Sequence, residues 1–234
     1  KASAMLNSLI ATVSLVRRGI ARLGTFMGYA AGWGFIATSA LITFDVLARR
    51  FLGFSTQATT ELSGYALAFG IAWGLAHIYR FNGQTHQPIS VAQHSINVSY
   101  LVDPRIARAA LLHDAAEAFL GDITTPLKAV LGERFQSLEW VTEYMVAQRL
   151  GITTPPGNPF IKEADLVCLA TERAFLMKND PGEPWDCLEG IKPMQVEDFS
   201  HAWTYFSIGS QSCPEEDYRK FLRRHEELSH VQAA

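Results

Sequence analysis

The strongest constraint on the fold comes from two long apolar runs in the first third of the chain. Residues 28–48 contain Asp45 as their only charged residue, and residues 62–79 contain no ionisable acid or base except His77. A helix of about 20 residues spans roughly 30 Å, which matches the hydrocarbon core of a bilayer. The sequence therefore predicts two membrane-spanning helices; the alternative is a pair of buried helices in a soluble α-helical domain.

The basic residues around these runs predict an orientation. Lys1, Arg17, Arg18 and Arg22 precede the first run, and cytoplasmic flanks carry an excess of such residues. Two crossings would return the chain to the cytoplasm before Arg80. We therefore expect association with the inner (cytoplasmic) membrane through residues 28–79 and a cytoplasmic C-terminal domain, with a wholly cytoplasmic protein as the alternative.

A pattern in the same region resembles a known family. The first apolar run ends near Val46, Arg49 and Arg50, and Glu61 opens the second run after a short connection. Residues 20–76 are thereby similar to the small membrane subunit of tripartite (TRAP-type) dicarboxylate transporters. We treat residues 1–76 as a TRAP small-subunit-like, two-helix segment and residues 77–234 as a second domain.

The second domain carries most of the charge, and its sequence predicts an all-α fold. No run alternates with the period of two that a half-buried strand requires, whereas apolar residues recur at helical spacing. Asp103 and Pro104 form a helix-start signal, and Gly121 a stop signal. The predicted helices cover residues 90–102, 104–120, 127–150 with a break at Gly132, 160–177 and 215–229.

Net charge limits the class of partner. The chain carries 20 basic and 23 acidic residues, a formal net charge of −3, so it lacks the broad basic field that holds nucleic acid. A small anionic substrate held by one or two basic residues remains compatible with this balance.

An adjacent His113 and Asp114 interrupt a stretch that is otherwise almost entirely apolar. Burying two ionisable groups there is costly unless something compensates them, and a divalent cation takes imidazole and carboxylate ligands. His94 lies on the preceding predicted helix and Asp165 on a later one, both among apolar residues. The sequence therefore predicts that these four side chains meet at one metal ion inside a helical bundle.

The order H…HD…D on helices resembles the signature of the HD phosphohydrolase superfamily. The similarity extends to RFNG (80–83), SVAQHS (90–95), LLHDAAEAFLGDITTPLK (111–128), KEADLVCLATER (162–173) and WDCLEG (185–190). Over residues 70–230 the chain is similar to a prophage-type subgroup related to 5′-deoxynucleotidases. The resemblance implies an HD-domain helical bundle whose metal ligands are His94, His113, Asp114 and Asp165.

The same resemblance implies roles for further residues. Glu117 and Asp122 match acidic residues that lie near the phosphate and its attacking water. Arg80 matches a phosphate-contacting arginine, and Phe81 stands where a relative senses the sugar with a tryptophan. Lys128 could add positive charge near the phosphate.

These residues together lead to a functional expectation. We expect a phosphohydrolase, a 5′-nucleotidase that converts (deoxy)nucleoside monophosphates to nucleoside and phosphate, with one divalent ion of Co, Mn, Zn or Fe and less readily Mg. Two alternatives stay open: a hydrolase of a nucleotide second messenger (alarmone or cyclic nucleotide), and a membrane-linked HD domain that senses a nucleotide. We also expect a homo-oligomer.

Overall fold

The computed structural model describes residues 29, 33, 36–37, 39–51, 53, 57–177, 184–195 and 212–231, and the chain divides into the units Lys1–Ser63 and Gly64–Ala234. This division falls before the boundary after residue 76 that the sequence suggested. The described part is helical throughout, with no strand, which confirms the all-α prediction. Its nearest approach to a sheet is one isolated antiparallel bridge between Tyr79 and Ser90.

In the first unit, residues 39–51 form a helix with one buried acid. Asp45 is 2% exposed and accepts a hydrogen bond of 2.7 Å from Nε of Arg49, one helical turn later. Arg49 also donates to Thr60 through Nη2, over 3.2 Å. Seven of the 21 residues of the first predicted membrane span, residues 28–48, lie outside the described residues.

The helices of the second unit follow in chain order. Helix α1 (Gln57–Ala76) begins in the first unit and continues into the second. The others are α2 (Val91–Tyr100), α3 (Ala107–Leu111), α4 (Glu117–Leu120), α5 (Thr125–Leu131), α6 (Glu133–Arg149), α7 (Pro159–Leu176) and α8 (Pro214–Val231). Short 3₁₀ turns occur at Arg80–Gly83 and Asp186–Leu188.

Local sequence fixes where two of the site-bearing helices begin. Ser90 caps α2 in a capping box: its hydroxyl accepts from the Gln93 backbone, and the Gln93 side chain accepts from the Ser90 backbone. Asn158 caps α7 by accepting from Phe160 and Ile161 N–H groups. Gly132, at φ 68°, separates α5 from α6, as its sequence position predicted.

The core lies where α2 packs against α3, α7 and α8, and one face of α1 completes it. Ile71, Leu75 and Ala76 of α1 are fully buried together with Leu111 and Phe221. The apolar run 62–79, which the sequence predicted to cross a membrane, packs one face of its helix in the domain core, whereas Tyr65, Phe69 and Trp73 are exposed. No helix in the described part of the chain has the length and apolar character to cross a bilayer.

The predicted continuous helix over residues 104–120 is also corrected. The α-helical hydrogen bonds stop after α3, and residues 112–116 form consecutive turns before α4 begins. The backbone there closes with i to i+3 bonds, such as Ala115 N–H to Leu112 O and Glu117 N–H to Asp114 O. Residues 112–116 are therefore wound more tightly than an α-helix, in which the N–H of residue i+4 bonds to the C=O of residue i.

Candidate functional site

Four side chains from three segments meet beside the core. His94 comes from α2, His113 and Asp114 from the turns after α3, and Asp165 from α7. His94 Nε2 lies 3.1 Å from Asp165 Oδ1 and 3.7 Å from Asp114 Oδ2. His113 Nε2 lies 3.2 Å from the same Asp114 oxygen and 3.9 Å from Asp165 Oδ1. The structure thus brings all four predicted metal ligands together.

The second ring nitrogen of each histidine is already engaged on the far side. His94 Nδ1 lies 2.7 Å from Glu172 Oε1, and His113 Nδ1 lies 2.8 Å from the Ala110 carbonyl oxygen. Since a carbonyl oxygen can only accept, His113 carries a proton on Nδ1, and its Nε2 is free to present a lone pair. That Nε2 atom is buried without a hydrogen-bond partner, which fits a ligand nitrogen facing a cation.

The fully buried carboxylate of Glu172 contacts His94 on the side of the ring that faces away from the four-residue cluster. Glu172 accepts from His94 through Oε1, receives the Cys168 thiol on the same oxygen at 3.4 Å, and faces Arg80 Nε at 3.0 Å with Oε2. The arginine contact is an ion pair that lacks hydrogen-bond alignment, because neither atom has a hydrogen-bond partner. Arg80 Nη1 also lies 3.7 Å from Asp114 Oδ2, so Arg80 joins Glu172 to the four-residue cluster.

Two overlapping groups in the described residues have the composition and spacing to hold a metal ion. One is His94 with His113 and Asp114, and the other is His94 with Cys168 and Glu172; within each group the ligand atoms lie within 4.8 Å of one another. In the second group the side chain of Glu172 is 0% exposed, whereas those of His113 and Asp114 are 14% and 19% exposed. The first group is the more open to solvent.

In the cluster, neighbouring charges outweigh the effect of burial: they lower the pKa of Asp165 and raise the pKa of His113. Burial opposes ionisation of Asp165, yet the adjacent His113 and His94 hold its pKa well below the ordinary value. Burial likewise opposes charge on His113, but the charges of Asp114 and Asp165 raise its pKa well above the ordinary value. The cluster therefore attracts positive charge, supplied by protons or by a cation.

Two further acids flank the cluster. Glu117 begins α4, is 7% exposed, and leaves Oε2 buried without a hydrogen-bond partner. Burial, with the charges of Asp114 and Asp122, raises the pKa of Glu117 to about 9. Asp122, just after Gly121, is half-buried, and burial also raises its pKa.

The other two predicted substrate residues have partners of their own. Phe81 and Asn82 adopt left-handed backbone conformations, with φ of 54° and 53°, in the turn that directs Arg80 inward. The Phe81 ring lies 6.1 Å from that of Trp185. Lys128 of α5 forms an ion pair of 2.6 Å with Glu139 of α6.

A cavity of about 260 Å³ opens directly onto the cluster. Three of the four predicted ligands line it, together with charged side chains of α5, α6 and α7 and the loop before α7. Its polar lining comprises His113, Asp114, Lys128, Glu139, Glu143, Thr154, Asn158, Lys162 and Asp165. Burial, with the charges of Asp114 and Glu139, raises the pKa of Glu143 to about 7.

Comparison with known proteins places the chain in a family. No family model matches it. It is 35% identical over 161 residues to the uncharacterized protein YfdR of Escherichia coli (strain K12), an alignment that covers 69% of this chain and 83% of YfdR. The chain belongs to the YfdR family. An uncharacterized protein of Rhodobacter capsulatus is 40% identical over 114 residues, covering 44% of this chain and 58% of that protein.

Sequence reasoning about this YfdR-family chain missed several residues of the site. Glu172 lies two helical turns after Asp165 and shares its face, so a carboxylate at that spacing in an apolar helix was an available signal. Lys162, whose Nζ lies 2.8 Å from Asp165 Oδ2, is one turn before the ligand and was equally visible. Glu139 and Glu143 carried no such signal, because α6 is polar along most of its length.

Proposed function

We propose that this chain is an HD-type, metal-dependent phosphohydrolase that hydrolyses nucleoside 5′-monophosphates, including the deoxy forms, to nucleoside and phosphate. The single observation that carries the proposal is the meeting of His94, His113, Asp114 and Asp165 with ring nitrogens and carboxylate oxygens 3.1–3.9 Å apart. Two imidazoles and two carboxylates in one cluster form the mixed ligand set of the HD pattern. Cobalt, manganese, zinc and iron suit this set better than magnesium.

The ring nitrogens are placed to bind a cation among His94, His113, Asp114 and Asp165, rather than on the Glu172 side of His94. His94 and His113 each have one nitrogen engaged on the far side, by Glu172 and by the Ala110 carbonyl, and both direct Nε2 inward. Outer hydrogen bonds of this kind fix the tautomer and orientation of metal-binding histidines. We therefore assign the ligand role to the cluster that contains Asp114 and Asp165, and a supporting role to Glu172.

A divalent ion held by His94, His113, Asp114 and Asp165 would supply Lewis acidity to the phosphoryl group and lower the pKa of water. The chain's own residues then direct the proton transfers. The half-buried Asp122 accepts a proton from the attacking water, while the more deeply buried Glu117 donates one to the departing 5′-oxygen. Water oxygen bonds to phosphorus as the phosphorus–5′-oxygen bond breaks, so nucleoside and inorganic phosphate leave.

Arg80 contributes positive charge from behind the cluster. Its guanidinium is held between Glu172 and Asp114 and its side chain is 12% exposed. A fixed positive charge within reach of Asp114 offsets charge that develops on the phosphoryl oxygens. The phosphate contact that the sequence resemblance assigned to Arg80 stays a prediction, and in the structure two carboxylates face the side chain.

The test is a phosphate-release assay on the full chain, stripped of metal and reloaded separately with Co, Mn, Zn, Fe or Mg. The substrates are nucleoside 5′-monophosphates, with cyclic nucleotides and alarmones as the competing class. We expect turnover of monophosphates, loss on stripping, and joint loss of metal binding and activity in Asp114→Ala. Full turnover by Asp114→Ala, or no monophosphate hydrolysis with any metal, contradicts the proposal. Glu163→Gln, an exposed residue on α7, is the matched control.

A further inference from the structure

The cavity beside the candidate metal centre has an acidic wall on α6. Glu139 and Glu143 both line it from α6, and a spacing of four residues puts them on the same face of that helix. Asp114 and Asp165 of the candidate metal centre line the same cavity. A substrate that binds at the centre through its phosphate and extends into this cavity therefore meets two further carboxyl groups.

The basic residues of the cavity are already used. Lys128 Nζ pairs with Glu139 Oε1 at 2.6 Å, and Lys162 Nζ pairs with Asp165 Oδ2 at 2.8 Å. The lining thus has four carboxyl groups against two ammonium groups, an excess of two negative charges when the histidines are neutral and Glu143, whose pKa is raised to about 7, is ionised. A divalent cation at the centre cancels this excess and leaves no surplus positive charge for an anionic group farther out.

We propose that Glu139 and Glu143 determine specificity by turning away substrates that carry a second phosphate, and so restrict the site to monophosphate esters. This inference rests on the proposed function. Glu139 acts in two ways: its carboxylate repels a β-phosphate, and it occupies Lys128, the cation that such a phosphate would otherwise bind. Glu143 adds a second like charge on the same wall when it is ionised.

A purely structural role for the Lys128–Glu139 pair, joining α5 to α6, makes a different prediction. Replacing Glu139 would then lower stability and reduce hydrolysis of every substrate in proportion. A specificity role instead changes the ratio between substrates, because removing the carboxylate releases Lys128 for a second phosphate. The ratio of kcat/KM values for monophosphate and diphosphate separates the two roles.

The experiment uses the metal-loaded full chain and compares a nucleoside 5′-monophosphate with its 5′-diphosphate. The variants are Glu139→Gln, Glu143→Gln and the double substitution; Glu163→Gln, an exposed α7 glutamate that lines a different cavity, is the control. We expect the monophosphate-to-diphosphate ratio of kcat/KM to fall at least about tenfold in the double variant. The control should keep the wild-type ratio.

A binding measurement without turnover accompanies the kinetics. Calorimetry gives the Kd values of inorganic phosphate and pyrophosphate for the same metal-loaded proteins, and the double variant should gain affinity for pyrophosphate relative to phosphate. Unchanged ratios in both measurements overturn the inference, while wild-type hydrolysis of monophosphates still supports the proposed function. Absence of that hydrolysis with every metal counts against the proposed function, and the calorimetric ratio then decides the inference by itself.

Discussion

His94 and Glu172 form a buried pair in which imidazole Nδ1 and carboxylate Oε1 lie 2.7 Å apart, with neither side chain exposed to solvent. The pair joins the middle of α2 to the last turns of α7. Because the far-side nitrogen is engaged, the near-side Nε2 of His94 points at Asp165 and Asp114. Glu172 also faces Arg80, so one carboxylate orients both the candidate ligand His94 and the Arg80 guanidinium.

The first prediction concerns Glu172. Glu172→Gln retains an oxygen that can accept from His94 but loses the charge that faces Arg80, whereas Glu172→Ala loses both. We expect metal affinity to fall about tenfold in the Gln variant and up to about a hundredfold in the Ala variant, measured by competition with a chelator. Glu163→Gln on the same helix should bind metal like the wild type. Wild-type affinity in both Glu172 variants would show that Glu172 does not support the centre.

The Ala variant also removes the carboxylate that forms an ion pair with the buried Arg80 guanidinium. Removing one member of a buried ion pair costs about 3–5 kcal/mol, so urea unfolding accompanies the metal titration. The Gln variant keeps the volume and one hydrogen bond and separates the metal effect from unfolding.

The candidate site could be read from the sequence where polar residues interrupt apolar helices. His113, Asp114 and Asp165 stand out because their neighbours are apolar, and a buried charge without a partner is costly. The contact between Glu172 and Arg80 could not be read in the same way, because the two residues are distant in the chain and only tertiary packing brings them together. Residue type and spacing identify which side chains are buried, whereas tertiary packing decides which of them meet.

Two elements of the fold could not be inferred from local sequence. The Ala-rich stretch around His113 favours a regular helix by propensity, yet tertiary contacts wind residues 112–116 into tighter turns. The apolar run of α1 is equally compatible with a lipid bilayer and with a protein core, because both environments disfavour polar side chains. The predicted inner-membrane location and homo-oligomer stay predictions.

The second prediction tests the packing of α1 with two glycines of the same helix. A Cβ at Gly74 would meet Ala118 Cβ at 2.9 Å, whereas a Cβ at Gly70 has nothing within 4 Å. Gly74→Ala should therefore destabilise the protein by about 1–3 kcal/mol through overpacking against α4. Gly70→Ala should stabilise it by up to about 1 kcal/mol, because alanine is the better helix former. Urea unfolding measures both, and equal effects would argue against the contact between α1 and α4.

The third prediction concerns the left-handed turn after Arg80. Asn82 is exposed at φ 53°, so its substitution changes backbone strain more than packing. Asn82→Gly should stabilise the fold by up to about 1 kcal/mol, and Asn82→Val should destabilise it by about 1–2 kcal/mol, because a β-branched residue disfavours this conformation. Thermal unfolding checks both signs. If the Val variant were as stable as the Gly variant, the turn would not require the left-handed conformation.

The fourth prediction is a pH dependence of stability that arises away from the candidate centre. His225 of α8 is partly buried, with Nε2 3.4 Å from Arg108 Nη2. Burial, assisted by the charge of Arg108, lowers the pKa of His225 to about 4, from an ordinary value of 6.5. The unfolded chain therefore binds a proton at higher pH than the folded protein, and stability is lost as pH falls from 6.5 toward 4.

Between pH 7 and pH 5 this residue should remove about 1 kcal/mol of unfolding free energy, after allowance for partial solvent screening. His225→Gln cannot take up the proton, so its stability should decline less over the same interval. His230→Gln, which alters an exposed histidine of the same helix, should follow the wild-type decline. Urea unfolding at the two pH values, on metal-free protein, compares the three chains. Parallel declines in all of them would mean that His225 is as readily protonated in the folded state as in the unfolded chain.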